Sequence, residues 1–192
     1  MQWLTPREVQ ACVLAGLLVA AVAMFALPPV QAAACGVLFA ITAAIALIDA
    51  RAFVIPDALL IPAAIAGMLA RLVAVPGAST LLDCLSGAVL SGGSFYLLRY
   101  VYGLLRHREG LGLGDVKLAA VAGIWLPLGL LPVWVLIAAC VALVTALGLM
   151  VQKGQALSGT AALPFGTFLA PSLWIVWAFS TMFGGLFPDL PL

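Results

Sequence analysis

Apolar runs long enough to cross a bilayer follow one another along almost the whole chain, near residues 9–27, 30–48, 58–75, 81–105, 116–131, 132–151 and 163–187. A helix needs about 20 apolar residues to span the hydrocarbon core, where backbone polar groups must be paired within the segment itself. The pattern predicts an all-α, polytopic membrane fold of about seven transmembrane helices, forming one membrane-embedded unit over residues 1–192. Pro28-Pro29 marks a tight turn between the first two runs. Trp125-Leu126-Pro127 interrupts the fifth, which points to a short or tilted helix followed by a turn.

Charged residues make up 8% of the chain and hydrophobic residues 66%, against about 25% charged in soluble proteins. Little room remains for a soluble domain. The first run is too long for a typical signal-peptide core and a second follows at once, so no cleavable signal is expected. A net charge of +1 without a dense basic cluster gives no reason to expect nucleic acid as a partner. Cys12, Cys35, Cys84 and Cys140 lie singly within apolar runs, which excludes a CxxC motif and suits small buried hydrophobes.

Basic residues set the orientation. With the N-terminus inside, Arg7, Arg51, Arg106, Arg108, Lys117 and Lys153 fall on the cytoplasmic face, and the opposite loops carry no Lys or Arg. Arg71 and Arg99 lie within spans, close enough to their ends for Arg71 to snorkel outward and Arg99 toward the cytoplasm. The expectation is therefore N-in, C-out.

In such a chain a carboxylate at the edge of a span is costly unless solvated or partnered, and so marks function. Asp49 ends the run Ala44-Ile45-Ala46-Leu47-Ile48-Asp49, and Asp115 opens the fifth from Glu109-Gly110-Leu111-Gly112-Leu113-Gly114-Asp115-Val116-Lys117. The predicted topology brings both to the cytoplasmic boundary. Asp49 sits at a helix C-terminus, where a carboxylate opposes the helix dipole. Asp57, after Pro56, reads either as a helix-start residue that favours the dipole or as an acid beside the pair. The alternating glycines permit close approach of a ligand or helix. They follow a membrane helix rather than a strand and lack Gly-Lys-Ser/Thr, which removes dinucleotide and P-loop readings. Two close carboxylates share one proton, so one can act as base and the other as acid in amide hydrolysis. His107 is the single histidine, no HExxH is present, and neither a metal nor a cofactor is expected. Ala162-Leu163-Pro164-Phe165-Gly166-Thr167-Phe168 starts the last span; Pro164 reads equally as a helix-start signal or as part of a site lining.

These three stretches, in this order over roughly Ile41 to Phe179, resemble the type IV prepilin peptidases, a family of bacterial membrane aspartic proteases. The resemblance implies that Asp49 and Asp115 are the catalytic pair. Asp57, Lys117, Gly112, Gly114, Glu109 and Arg51 are candidates to surround the pair, and Pro164, Phe165 and Gly166 are candidates to line the substrate site. The resemblance also implies a multi-pass protein of the bacterial inner membrane that removes short basic leaders from prepilins or pseudopilins, in contact with the lipid bilayer. Full-length members also carry a cytoplasmic domain with paired CxxC motifs that accompanies N-methylation. Here the short loops and missing CxxC motifs suggest a peptidase-only form. Arg51 stands where relatives often have an acid, and it reads either as an ion-pair partner of Asp49 or Asp57 or as a cytoplasmic marker.

Two other readings compete. A transporter would place its acids at the midplane or in opposed half-sites. A presenilin-like protease would carry Pro-Ala-Leu where this chain has Leu163-Pro164-Phe165.

Overall fold

A computed structural model describes residues 3–106, 110–153 and 164–183. Seven α-helices account for nearly all of them: α1 (Pro6–Ala23), α2 (Pro29–Ala52), α3 (Asp57–Ala74), α4 (Ala78–Arg106), α5 (Leu113–Trp125), α6 (Leu131–Lys153) and α7 (Gly166–Phe183), with one 3-10 turn at Leu128–Leu130. No strand occurs among the described residues. All the helices except α5 are long and apolar enough to cross a membrane, and the chain is a multi-pass helical membrane protein.

Six of these seven helices thus meet the length of a span, and α5 is the short helix ended by a turn that Trp125-Leu126-Pro127 pointed to. At about 1.5 Å per residue, its 13 residues reach only about 20 Å. Leu126, extended at φ −105° and ψ 140°, precedes Pro127, which restricts it and cannot continue the helix ladder. The break is tolerated because Leu126 is itself buried in protein. Leu118, Ala119, Val121, Ala122, Ile124 and Trp125 are all buried, so hydropathy alone could not separate this core helix from a lipid-facing span.

Small residues let the helices approach closely, as packing in a bilayer favours. Gly16 of α1 faces Gly36 of α2, and Gly87 of α4 meets Gly123 of α5 with no room for a side chain at either. At its far end α5 is anchored by Trp125, whose Nε1 donates to the Ala63 carbonyl of α3 at 2.9 Å while its ring packs edge-on to Trp177 of α7. Arg71 does not simply snorkel outward; its guanidinium donates to the Ile124 carbonyl at 3.3 Å, covering the end of α5. Cys12, Cys35 and Cys84 are buried as expected, whereas Cys140 is exposed on the outside of α6.

Candidate active site

The site forms where helix ends converge at one end of the bundle. The last turn of α2 carries Asp49, and the helix stops at Phe53, which adopts left-handed φ 54° and ψ 36°. Its N–H returns to the Asp49 carbonyl at 2.9 Å, the αL termination usually served by glycine. That turn directs Val54, Ile55 and Pro56 across the bundle end to the start of α3.

Asp49 is 5% exposed, and its compensation comes from another helix. Its Oδ2 accepts the Thr167 backbone N–H at 2.7 Å and the Thr167 hydroxyl at 3.1 Å. Thr167 lies in the first turn of α7, so the carboxylate that opposes the dipole of α2 meets the favourable N-terminal end of α7. Gly166 makes this contact sterically feasible. A Cβ there would stand 2.9 Å from Asp49 Cγ and Oδ2 and 2.8 Å from Ile55 Cδ1.

Asp115, 8% exposed, belongs to the first turn of α5, behind Gly112 as its N-cap. Its Oδ2 accepts the Gly112 N–H at 3.3 Å, the reach-back half of a capping box. The glycine stretch is held from α4: Arg99 donates to the Leu111 carbonyl and therefore serves the site rather than snorkelling away. Gly114 lies against Ile55, and a Cβ there would come within 3.0 Å of Ile55 Cβ. Asp115 is on α5, a helix too short to cross a bilayer by itself. Burial, and next the charge of nearby Asp49, push its carboxyl up to about 6.

Asp57 opens α3 after the N-cap Pro56, which supplies no side-chain cap. Both carboxylate oxygens of Asp57 accept from Lys117 Nζ, each at 2.8 Å. The pair is largely exposed and ties α3 to α5 at the rim of the site. Arg51 holds neither Asp49 nor Asp57; it pairs with Glu8 of α1 at 2.6 Å. Its ion-pair expectation is therefore corrected, because α1 offers an acid at the same level.

Asp49, Ile55, Asp57, Gly112, Asp115 and Lys117 line a single open cavity of about 360 Å³. Phe165 is half-buried on the core, and Gly166 backs Asp49 directly. Glu109 lies outside the described residues. Thr167 and Ile55 were not anticipated as site residues. A hydroxyl residue beside a glycine at a helix start is a recognisable N-terminal signal, but nothing in the sequence joins it to Asp49. Among the described residues no group of three His, Cys, Asp or Glu side chains is arranged to hold a metal ion. The chemistry on offer is that of two buried carboxylates, in electrostatic contact, facing a polar cavity.

Fold and site together define a multi-pass helical membrane protein with a paired-carboxylate cavity at one end of its bundle. The chain belongs to the type IV leader peptidase family, whose model matches residues 36–147. It is 41% identical over 99 residues to leader peptidase HopD of Escherichia coli, a match covering 50% of this chain and 61% of that protein. It is 38% identical over 96 residues to the prepilin leader peptidase/N-methyltransferase of Neisseria gonorrhoeae, covering 50% of this chain and 32% of that protein. The protein of the same name from Dichelobacter nodosus is 31% identical over 105 residues, with 55% and 35% covered. These matches span less than two thirds of each relative. No solved structure matches the chain significantly.

Proposed function

We propose that this chain is an aspartic endopeptidase that removes the leader from prepilins or pseudopilins at the cytoplasmic face of the bacterial inner membrane. The observation that carries the reading is that Asp49 and Asp115, from separate sequence motifs, line one cavity in a member of a leader peptidase family. The cytoplasmic placement is supported by Arg51 and Lys117 at the site end and by the inward bias of basic residues. Both acids occupy one end of the bundle, which argues against the opposed half-sites of a transporter.

The cycle begins with Asp49 ionised and Asp115 protonated. Water bonds through oxygen to the scissile carbonyl carbon and gives a proton to Asp49, while Asp115 gives its proton to the carbonyl oxygen. The C–N bond of the resulting gem-diol then breaks. Asp49 returns its proton to the departing nitrogen, and Asp115 takes one from a diol hydroxyl, restoring the starting state. Co-expression with prepilins from the same genome, scored by the mass of the processed product, tests the reading. Asp49→Ala and Asp115→Ala should insert normally and leave the leader attached; wild-type cleavage by either variant removes that residue from the mechanism.

A further inference from the structure

We infer that Thr167 is a positioning residue for the reaction, one that pins Oδ2 of Asp49 through two donors and so presents Oδ1 to the water. The inference rests on the proposed roles of Asp49 and Asp115. Its basis is geometric. Thr167 brings its backbone N–H and its hydroxyl to the same oxygen, at 2.7 and 3.1 Å, and no hydrogen bond to Oδ1 is found among the described residues. Two donors converging on one oxygen suit a carboxylate better than a carboxylic acid. Asp49 is thereby the member of the pair that carries the charge, and Asp115, with a single backbone donor on Oδ2, carries the shared proton.

The hydroxyl has a second acceptor in reach, the Ala46 carbonyl one turn back on α2, at 3.5 Å. When Asp49 takes the proton from water, Thr167 can turn its hydroxyl toward that carbonyl and remain bonded. The donor is strongest on Asp49 in the ionised state that must take the proton from water, and it can relax in the state that follows. Thr167 lines no part of the cavity and touches no reacting atom, so its influence runs through Asp49.

Three variants separate this role from packing. Thr167→Val keeps the shape and removes the hydroxyl, Thr167→Ala removes both hydroxyl and methyl, and Thr167→Ser keeps the hydroxyl alone. The assay is cleavage, in membranes, of a same-genome prepilin that the wild-type chain processes, with Asp49→Ala alongside. Val and Ala should lower kcat about tenfold with KM within twofold, the pattern of an interaction acting on the chemical step. Ser should remain within threefold of wild type. Val and Ala activities within twofold of wild type overturn the inference, as does a Ser variant as impaired as Val, a loss confined to KM, or failure of both hydroxyl-free variants to insert. An inactive wild type, or an active Asp49→Ala, instead overturns the proposed function and is read from separate lanes of the same experiment.

Discussion

Gly166→Ala should disable the site from behind while adding a single methyl group. The new Cβ would stand 2.9 Å from Asp49 Cγ and Oδ2, about half an ångström inside ordinary contact. It would also lie 2.8 Å from Ile55 Cδ1. Ile55 cannot yield freely, because its Cβ already rests on Gly114. The carboxylate, with the open cavity in front of it, is the group that gives way, stretching its 2.7 Å bond to the Thr167 N–H. A misplacement of about 1 Å at a reacting group can cost about 10²-fold in rate; half that displacement implies about tenfold. Overpacking adds about 1–3 kcal/mol of destabilisation. The assay is the initial rate of leader cleavage at matched membrane insertion. Adding Ile55→Val, which deletes Cδ1, should leave the double variant slow, since the clash with Asp49 persists. A Gly166→Ala rate within twofold of wild type, or full recovery in the double variant, refutes the steric account of Asp49.

Asp115, with its carboxyl raised to about 6, takes up protons on folding, so its stabilising contribution is complete below the unfolded value of 3.8 and is lost as pH rises through about 6. Thermal unfolding in detergent should show wild type losing about 2–3 kcal/mol more than Asp115→Asn over that interval. Arg51→Ala or Glu8→Ala should keep leader cleavage within twofold of wild type, because their ion pair is partly solvated and makes no contact with Asp49; a tenfold loss would contradict that placement. Trp125→Ala should cost about 3–5 kcal/mol, read as a drop in Tm, since the ring is buried between α3 and α7 and its Nε1 is bonded to Ala63; a loss below 1 kcal/mol would show that this end of α5 is not anchored as described.

The helical membrane fold was legible because apolar runs report their length directly. The shortest α-helix, α5, is apolar all round for a different reason: it is enclosed by protein, and it ends at the Trp125-Leu126-Pro127 break visible in the sequence. Asp49 and Asp115 were legible as costly charges. What surrounds them was less so. Arg51 could be placed at the right boundary, but its choice of Glu8 over Asp49 depends on how α1 leans against α2. Lys117 and Asp57 come from separate motifs, and their pairing needs α3 and α5 to start side by side. Thr167 stayed hidden because its role is a long-range hydrogen bond, for which local sequence holds no signal.

The three acids of the cavity share one electrostatic solution. Asp57 lies in the first turn of α3 and Asp115 in the first turn of α5, while Asp49 reaches the first turn of α7 through Thr167. Each carboxylate therefore faces one helix N-terminus, equivalent to about half a positive charge, and Lys117 adds a full one at the rim. The negative end of α2 offsets part of this at Asp49. Three ionised acids would exceed what these groups compensate, whereas three acids carrying one proton come close to balance. Asp57 is paired with Lys117 at the rim, and burial and the neighbouring charge raise Asp115, which suits it as the proton carrier of the proposed pair. The same helix ends that make two buried carboxylates tolerable thus favour a singly protonated pair, the state the proposed hydrolysis requires.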